Sequence, residues 1–178
     1  MNKRIILITG GARSGKSRYA EQRAAEFGGR RLYLATAEAT DEEMVQRIAE
    51  HKRQRGDAWI TIEEPRELAS ALLAQRGRTD CALVDCVTIW LSNLLLHRDV
   101  NFAEAKTGEL LETLPRLDFH LILVTNEVGS GIVPDSALAR QFRDLAGWAN
   151  QRIAAAANEV VLTVAGTPMI VKKATPCP

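Results

Sequence analysis

A chain of 178 residues is about one domain long, and 46% hydrophobic with 25% charged residues is the profile of a globular protein with an ordinary core. A formal net charge of +1 sets up no global field for nucleic acid or an anionic membrane, so any preference for anions has to come from a local site. The leading apolar run Ile5–Ile8 is too short for a signal-peptide core or a membrane span, and the three cysteines lack metal-ligand spacing; they read as reduced thiols of a cytoplasmic protein rather than a disulfide framework.

In chain order the pattern predicts a strand at Ile5–Thr9, a helix at Lys16–Phe27, a strand at Arg31–Thr36 and a helix at Asp41–Arg55. A strand at Trp59–Ile62, a helix at Pro65–Arg76, a strand at Ala82–Asp85 and helices at Thr88–His97 and Ala103–Leu114 follow. Next come a strand at Leu121–Thr125, a helix at Ser136–Ala156 and a strand at Val160–Val164. Leu138, Phe142, Leu145, Ala149 and Ile153 make the longest helix the clearest, because they recur every three or four residues on one face. A last strand, Met169–Val171, follows the turn Gly166-Thr167-Pro168 so closely that it has to pair antiparallel, as an edge hairpin. Alternating strands and amphipathic helices predict the α/β class, with a mostly parallel sheet and helices on both faces. No repeat or linker divides the chain, so residues 1–173 read as a single domain and residues 174–178 as a disordered tail.

Directly after the first strand stand Gly10, Gly11, Ala12, Arg13, Ser14, Gly15, Lys16 and Ser17, an intact G-x-x-x-x-G-K-[ST]. Glycines let the backbone turn its N–H groups onto phosphate oxygens, and the following helix adds its positive end. In that pattern Lys16 reaches the β- and γ-phosphates of a triphosphate, and the Ser17 hydroxyl ligates Mg²⁺. Asp85 ends an apolar strand and is the candidate second Mg²⁺ ligand; capping the next helix is its alternative role.

The helix Asp41–Arg55 places His51 at the edge of a stripe formed by Met44, Val45, Ile48 and Ala49, with Arg47 and Arg55 one turn away on the same side. Cations lower an imidazole pKa and hold polyphosphate, which suits His51 as a nucleophile toward phosphorus. Spacing alone leaves a second reading open, in which the basic residues only complement the helix dipole. His97 reads as structural, and His120 has no partner visible in the sequence. The Thr125–Pro134 loop leaves a C-terminal strand end, where open α/β sheets bind ligands; either Glu127 faces substrate or metal there, or the segment is a plain connecting loop.

Gly10–Arg18, Ala35-Thr36-Ala37, Arg47-Ile48 with His51-Lys52, and Thr125–Gly129 together resemble the bifunctional adenosylcobinamide kinase / adenosylcobinamide-phosphate guanylyltransferase family of cobalamin biosynthesis. The likeness continues through Gly131–Pro134, Ala139-Arg140, Phe142–Asp144 and Asn150–Arg152, and is poorest around Val100–Pro115. It implies a P-loop fold like the RecA ATPase core, assembled as a homotrimer. It also implies two reactions with Mg²⁺: GTP or ATP phosphorylates adenosylcobinamide, and then GMP passes from GTP through His51 to adenosylcobinamide phosphate. By the same likeness Ala35, Thr36, Ala37, Lys52, Arg53, Gln54, Arg55 and Glu63 contact nucleotide beside the P-loop and Asp85. Three rival readings stand beside it: a P-loop kinase of another metabolite, a binding module without chemistry, and an ATPase acting on nucleic acid. With 5% aromatic residues and a charge near zero, the chain has little to offer nucleic acid.

Overall fold

Each apolar run singled out above forms a strand of one seven-stranded sheet. The structure is a computed structural model that describes residues 3–38 and 58–173. The helix expected at Asp41–Arg55 and the tail expected at 174–178 lie outside the described residues. In chain order the elements are β1 (Ile5–Gly10), α1 (Lys16–Phe27), β2 (Arg31–Ala35), β3 (Ile60–Glu63), α2 (Leu68–Leu73), β4 (Cys81–Asp85), α3 (Val87–His97), α4 (Val100–Thr113), β5 (His120–Val124), α5 (Ala137–Ala156), β6 (Glu159–Val164) and β7 (Thr167–Lys172), with a short 3-10 turn at Leu114–Arg116.

The sheet order is β3-β2-β4-β5-β1-β6-β7, parallel except for the β6–β7 hairpin at one edge. β5 therefore lies between the strand that leads into the glycine-rich loop and the strand that ends at Asp85. Side chains alternate across the sheet. Leu7, Leu34, Val84 and Leu123 pack toward α2, α3, α4 and α5, while Ile6, Ile8, Tyr33, Leu83 and Val124 pack toward α1, where Ala20 and Ala24 allow close approach. Burial of long aliphatic side chains on both faces is the main stabilising term, about 25 cal/mol per Å² removed from water. Arg23 ties α1 to β6 through both carboxylate oxygens of Glu159, at 3.2 and 3.1 Å.

Boundaries differ from the expectations for local reasons. α2 is shorter than Pro65–Arg76, because the Glu64 carboxylate accepts the N–H groups of Arg66 and Glu67 and holds that stretch as a turn. α4 begins a turn earlier than Ala103, because Asp99 Oδ1 caps it by accepting from Phe102 N at 2.8 Å. The hairpin turn falls at Ala165-Gly166, both with positive φ (50° and 80°), so Thr167 and Pro168 belong to the strand. Pro168 is tolerated there because β7 is an edge strand.

Candidate active site

Parallel pairing brings the C-terminal ends of six strands to one rim. Ala35 of β2 pairs with Glu63 of β3 on one side and with Asp85 of β4 on the other. Asp85 pairs with Val124 of β5, and Val124 with Ile8 of β1. The glycine-rich loop, the Thr36-Ala37 stretch, Asp85 and the Thr125–Pro134 loop thus leave the sheet along one line, although they are far apart in sequence. Loops at such strand ends form the ligand crevice of open α/β sheets.

The glycine-rich loop is held from below and beside. At Gly10 a Cβ atom would stand 2.5 Å from Thr163 O and 2.6 Å from Ser14 Oγ, so only glycine fits. Gly15 has φ 92°, and its Cβ would meet Gly166 Cα at 3.1 Å; the hairpin turn packs directly on the loop, and Gly166 N donates to Ser14 O at 2.9 Å. Arg13 also takes the left-handed conformation, φ 54°. Left-handed residues in a short loop turn successive N–H groups into an anion-accepting concavity. Gly11, Ala12 and Arg13 are exposed, Ser17 is half-buried and Ser14 is buried, its Oγ without a hydrogen-bond partner among the described residues. The first turn of α1 has no side-chain cap, whereas α3, α4 and α5 are capped by Cys86, Asp99 and Ser136. The orphan N–H groups of α1 therefore face the loop, where a phosphate satisfies them best.

Lys16 is buried, and its Nζ donates to Gly11 O at 3.0 Å. Burial lowers its pKa from the usual lysine range, and the neighbouring Cys86 and Asp85 oppose that shift. Asp85 does not cap α3. The cap is Cys86, whose Sγ accepts from Ile89 N at 3.4 Å, while Asp85 Oδ2 accepts from the Tyr33 hydroxyl at 2.8 Å. Tyr33 thus fixes the carboxylate on the α1 side of the sheet, the side of Lys16. Ser17 and Asp85 offer a hydroxyl and a carboxylate oxygen, hard donors that fit Mg²⁺, which takes few protein ligands beside phosphate oxygens and water. Burial pushes the Cys86 thiol up to about 11, so it is neutral at pH 7.

The remaining expected residues divide. Thr36 is fully buried; its hydroxyl donates to Cys86 O at 2.8 Å and accepts from Cys86 N at 2.9 Å, and Asn93 Nδ2 donates to Thr36 O. The Thr36 side chain thus stitches two strand ends together, which leaves Ala37 as the half-buried part of that segment facing outward. Glu63 is exposed at the rim. His51, Lys52, Arg53, Gln54 and Arg55 lie outside the described residues. His120 has partners that the sequence did not reveal: Nδ1 accepts from Arg4 N at 3.1 Å, and the ring stacks on Phe27 with centroids 3.9 Å apart.

Sequence reasoning also missed a polar cluster under the β5 loop. The Thr125 hydroxyl, fully buried, donates to Asn150 Oδ1 at 2.8 Å and lies 3.1 Å from Thr88 Oγ1. Asn126 N donates to Thr88 Oγ1 at 2.6 Å, and Asn126 O accepts from Asn150 Nδ2 at 3.2 Å. One residue on, Glu127 N donates to Gly10 O at 3.0 Å, which joins the loop to the phosphate cradle. The available signal was Thr88 and Asn150 themselves, polar residues beside the apolar stripes of their helices.

A family model described as cobinamide kinase / cobinamide phosphate guanyltransferase matches residues 6–171. The chain is similar to a Pseudomonas aeruginosa protein named bifunctional adenosylcobalamin biosynthesis protein CobP, 50% identical over 166 residues, or 93% of this chain and 96% of that one. It is also similar to the Escherichia coli (strain K12) bifunctional adenosylcobalamin biosynthesis protein CobU, 40% identical over 184 residues, covering 94% and 99% of the two chains. The Salmonella typhimurium CobU is 41% identical over 181 residues, with the same coverage. Among solved structures the RadB recombinase superposes with a TM-score of 0.53 at 13% identity, over 89% of this chain and 73% of that one, a likeness of fold alone that agrees with a RecA-like P-loop NTPase.

Proposed function

The chain belongs to the cobinamide kinase / cobinamide phosphate guanyltransferase family, and we propose that it carries out both transfers on the rim described above. In the first, the aminopropanol hydroxyl oxygen of adenosylcobinamide bonds to the γ-phosphorus of GTP or ATP. The bridging P–O bond breaks, the nucleoside diphosphate leaves, and the hydroxyl proton passes to solvent. Lys16 and the first-turn N–H groups of α1 neutralise charge on the β- and γ-phosphates. Ser17 and Asp85 would hold Mg²⁺, and the ion would supply charge withdrawal from the phosphate oxygens.

In the second transfer an imidazole nitrogen of His51 bonds to the α-phosphorus of GTP and pyrophosphate leaves. A phosphate oxygen of adenosylcobinamide phosphate then displaces the imidazole, giving adenosylcobinamide-GDP. Splitting one transfer between two large anions into two steps is what covalent catalysis does well. Ala35, Thr36, Ala37, Lys52, Arg53, Gln54, Arg55 and Glu63 border the nucleotide in this reading. The protein works in the cytoplasm as a homotrimer without nucleic acid.

The observation that supports the reading most strongly is the alignment of the glycine-rich loop, Lys16 and Asp85 on one rim, in a chain that matches the family from residue 6 to residue 171. Purified protein given adenosylcobinamide, Mg²⁺ and GTP is expected to form the phosphate and then the GDP ester. With His51→Ala the phosphate is expected to accumulate. Wild-type protein that binds GTP but phosphorylates no cobinamide would overturn the reading.

A further inference from the structure

We propose that the apolar tip of the loop after β5, Ile132 and Val133 with Leu138 in the first turn of α5, seats the corrin macrocycle of the acceptor, a role that rests on the reading above. The first ground is reach. The reacting hydroxyl of adenosylcobinamide sits at the end of a side arm. When it meets the γ-phosphorus, the macrocycle therefore rests on the surface beside the phosphate cradle. That cradle has two flanks. On one, the Ala165-Gly166 turn packs on Gly15, and Gly166 N donates to Ser14 O at 2.9 Å. On the other stands the β5 loop, whose Glu127 N donates to Gly10 O at 3.0 Å. Because β5 lies between β1 and β4, its loop rises on the Asp85 side of the cradle, the side on which the γ-phosphate is placed in the kinase step.

The second ground is the surface itself. Ile132 is 96% exposed, Val133 57% and Leu138 47%, although Leu138 heads the apolar stripe of α5. Val128 packs against the core, so the loop anchors one aliphatic side chain and presents the others outward. Its shape is fixed at both ends. The Glu127 carboxylate accepts from Gly129 N at 2.9 Å, and Arg140 Nη1 donates to Pro134 O at 2.9 Å and Asp135 O at 2.7 Å. Scattered exposed aliphatic residues are ordinary, but several in one preshaped segment beside a ligand crevice suit a methyl-bearing macrocycle, and little freedom is lost on covering them.

The third ground is charge. From Thr125 to Ser136 the loop carries two carboxylates, Glu127 and Asp135, and no basic residue. Adenosylcobinamide is a cation, since cobalt(III) carries more charge than the corrin ring and the adenosyl carbon return. An acidic rim around an apolar tip complements it, and would repel a free nucleotide. A second copy of the chain has a better-suited face elsewhere. Val164, Met169, Ile170 and Val171 are exposed along β7, an unpaired strand edge on the far side of β1 and β6 from this loop.

The test compares wild type with the double variant Ile132→Ser/Val133→Ser. Adenosylcobinamide phosphorylation gives KM and kcat, equilibrium dialysis gives corrinoid affinity, and titration with a fluorescent GTP analogue gives nucleotide affinity. The expected result is a rise of about tenfold or more in both KM and corrinoid Kd, with kcat and nucleotide Kd within about threefold. Ile132→Val/Val133→Ile, which keeps the apolar surface, is expected to restore KM. Asp135→Asn is expected to raise KM about twofold at low ionic strength, a difference that disappears in about 1 M salt. An unchanged corrinoid KM and Kd in the serine variant, with the wild type active, would overturn the inference. So would dissociation of the assembly in that variant on light scattering, which would assign the loop to a second copy. A wild type that binds GTP but neither binds nor phosphorylates cobinamide would instead overturn the proposed function, and this inference with it.

Discussion

The two rims of the sheet are built from the same kinds of residue and treat them differently. At the N-terminal rim, side chains complete the backbone. Lys3 Nζ donates to the carbonyls of Leu114, Pro115 and Leu117 at 3.1, 2.6 and 2.7 Å. Asn158 Oδ1 accepts from Ile5 N at 2.7 Å, Asp80 takes the Arg30 N–H and guanidinium, and Asp118 takes Gly77 N. At the C-terminal rim, capacity is left over. Among the described residues Ser14 Oγ is buried without a partner, α1 has no side-chain cap, and Lys16 is a buried ammonium that donates to the Gly11 carbonyl. Orphaned donors cost stability, on the order of 1–3 kcal/mol each when fully buried. Ser14 Oγ and the uncapped first turn of α1 gather at the phosphate loop, where an anion restores the balance.

The contrast is sharpest in what substitutions do. Lys16→Ala is expected to lower kcat/KM for both transfers by about 100- to 1000-fold while leaving the melting temperature unchanged or higher, since a desolvated charge is removed. For the wild type, the burial that lowers the Lys16 pKa gives a pH signature. The ammonium, present below its pKa, is lost as pH rises through a value beneath the ordinary lysine 10.4 or so, and kcat/KM is expected to decline with it. Asp85→Asn comes next, with an expected loss of about 10- to 100-fold that excess Mg²⁺ partly recovers in a metal titration.

On the opposite rim the readouts exchange places. Asn158→Ala leaves the Ile5 N–H unpaired and is expected to cost about 1–2 kcal/mol, a drop of several degrees in melting temperature, with kinetic constants unchanged. The smallest effect is at His120, whose pKa is lowered by burial and by the positive charges of Arg4 and the N-terminus. A lowered histidine pKa means that the unfolded chain takes up the proton first. Its contribution to stability is therefore present above the unfolded value of about 6.5 and lost as pH falls below it. The fall in thermal stability between pH 7 and pH 5 is expected to be shallower in His120→Gln than in wild type. If Asn158→Ala slowed catalysis as strongly as it lowered stability, the division of labour between the rims would fail.

Much of the fold was legible because its signals are local. Apolar runs of strand length, the three-four spacing from Leu138 to Ile153 and the short step after Gly166 are each set within a few residues. The phosphate loop was legible for the same reason, since eight consecutive residues carry it. The errors at Pro65, Ala103 and Thr167 came from single side chains or backbone angles that a periodic pattern does not weigh. What stayed hidden was pairing across the sheet. Nothing in the sequence says that Tyr33 reaches Asp85, that Thr36 locks onto Cys86, or that Thr88 and Asn150 clamp Asn126. Those contacts join residues 24 to 52 positions apart, and strand order decides them. His51 was marked by its basic neighbours and preferred to the alternative reading through resemblance, and it lies outside the described residues.

The most direct test of the account uses GTP labelled at the α-phosphate. Protein incubated with it and Mg²⁺, then denatured, is expected to carry label through a bond that is acid-labile and alkali-stable, absent in both Lys16→Ala and His51→Ala. A folded protein that binds GTP and stays unlabelled would contradict the guanylyl-histidine step and leave a P-loop kinase with an idle histidine.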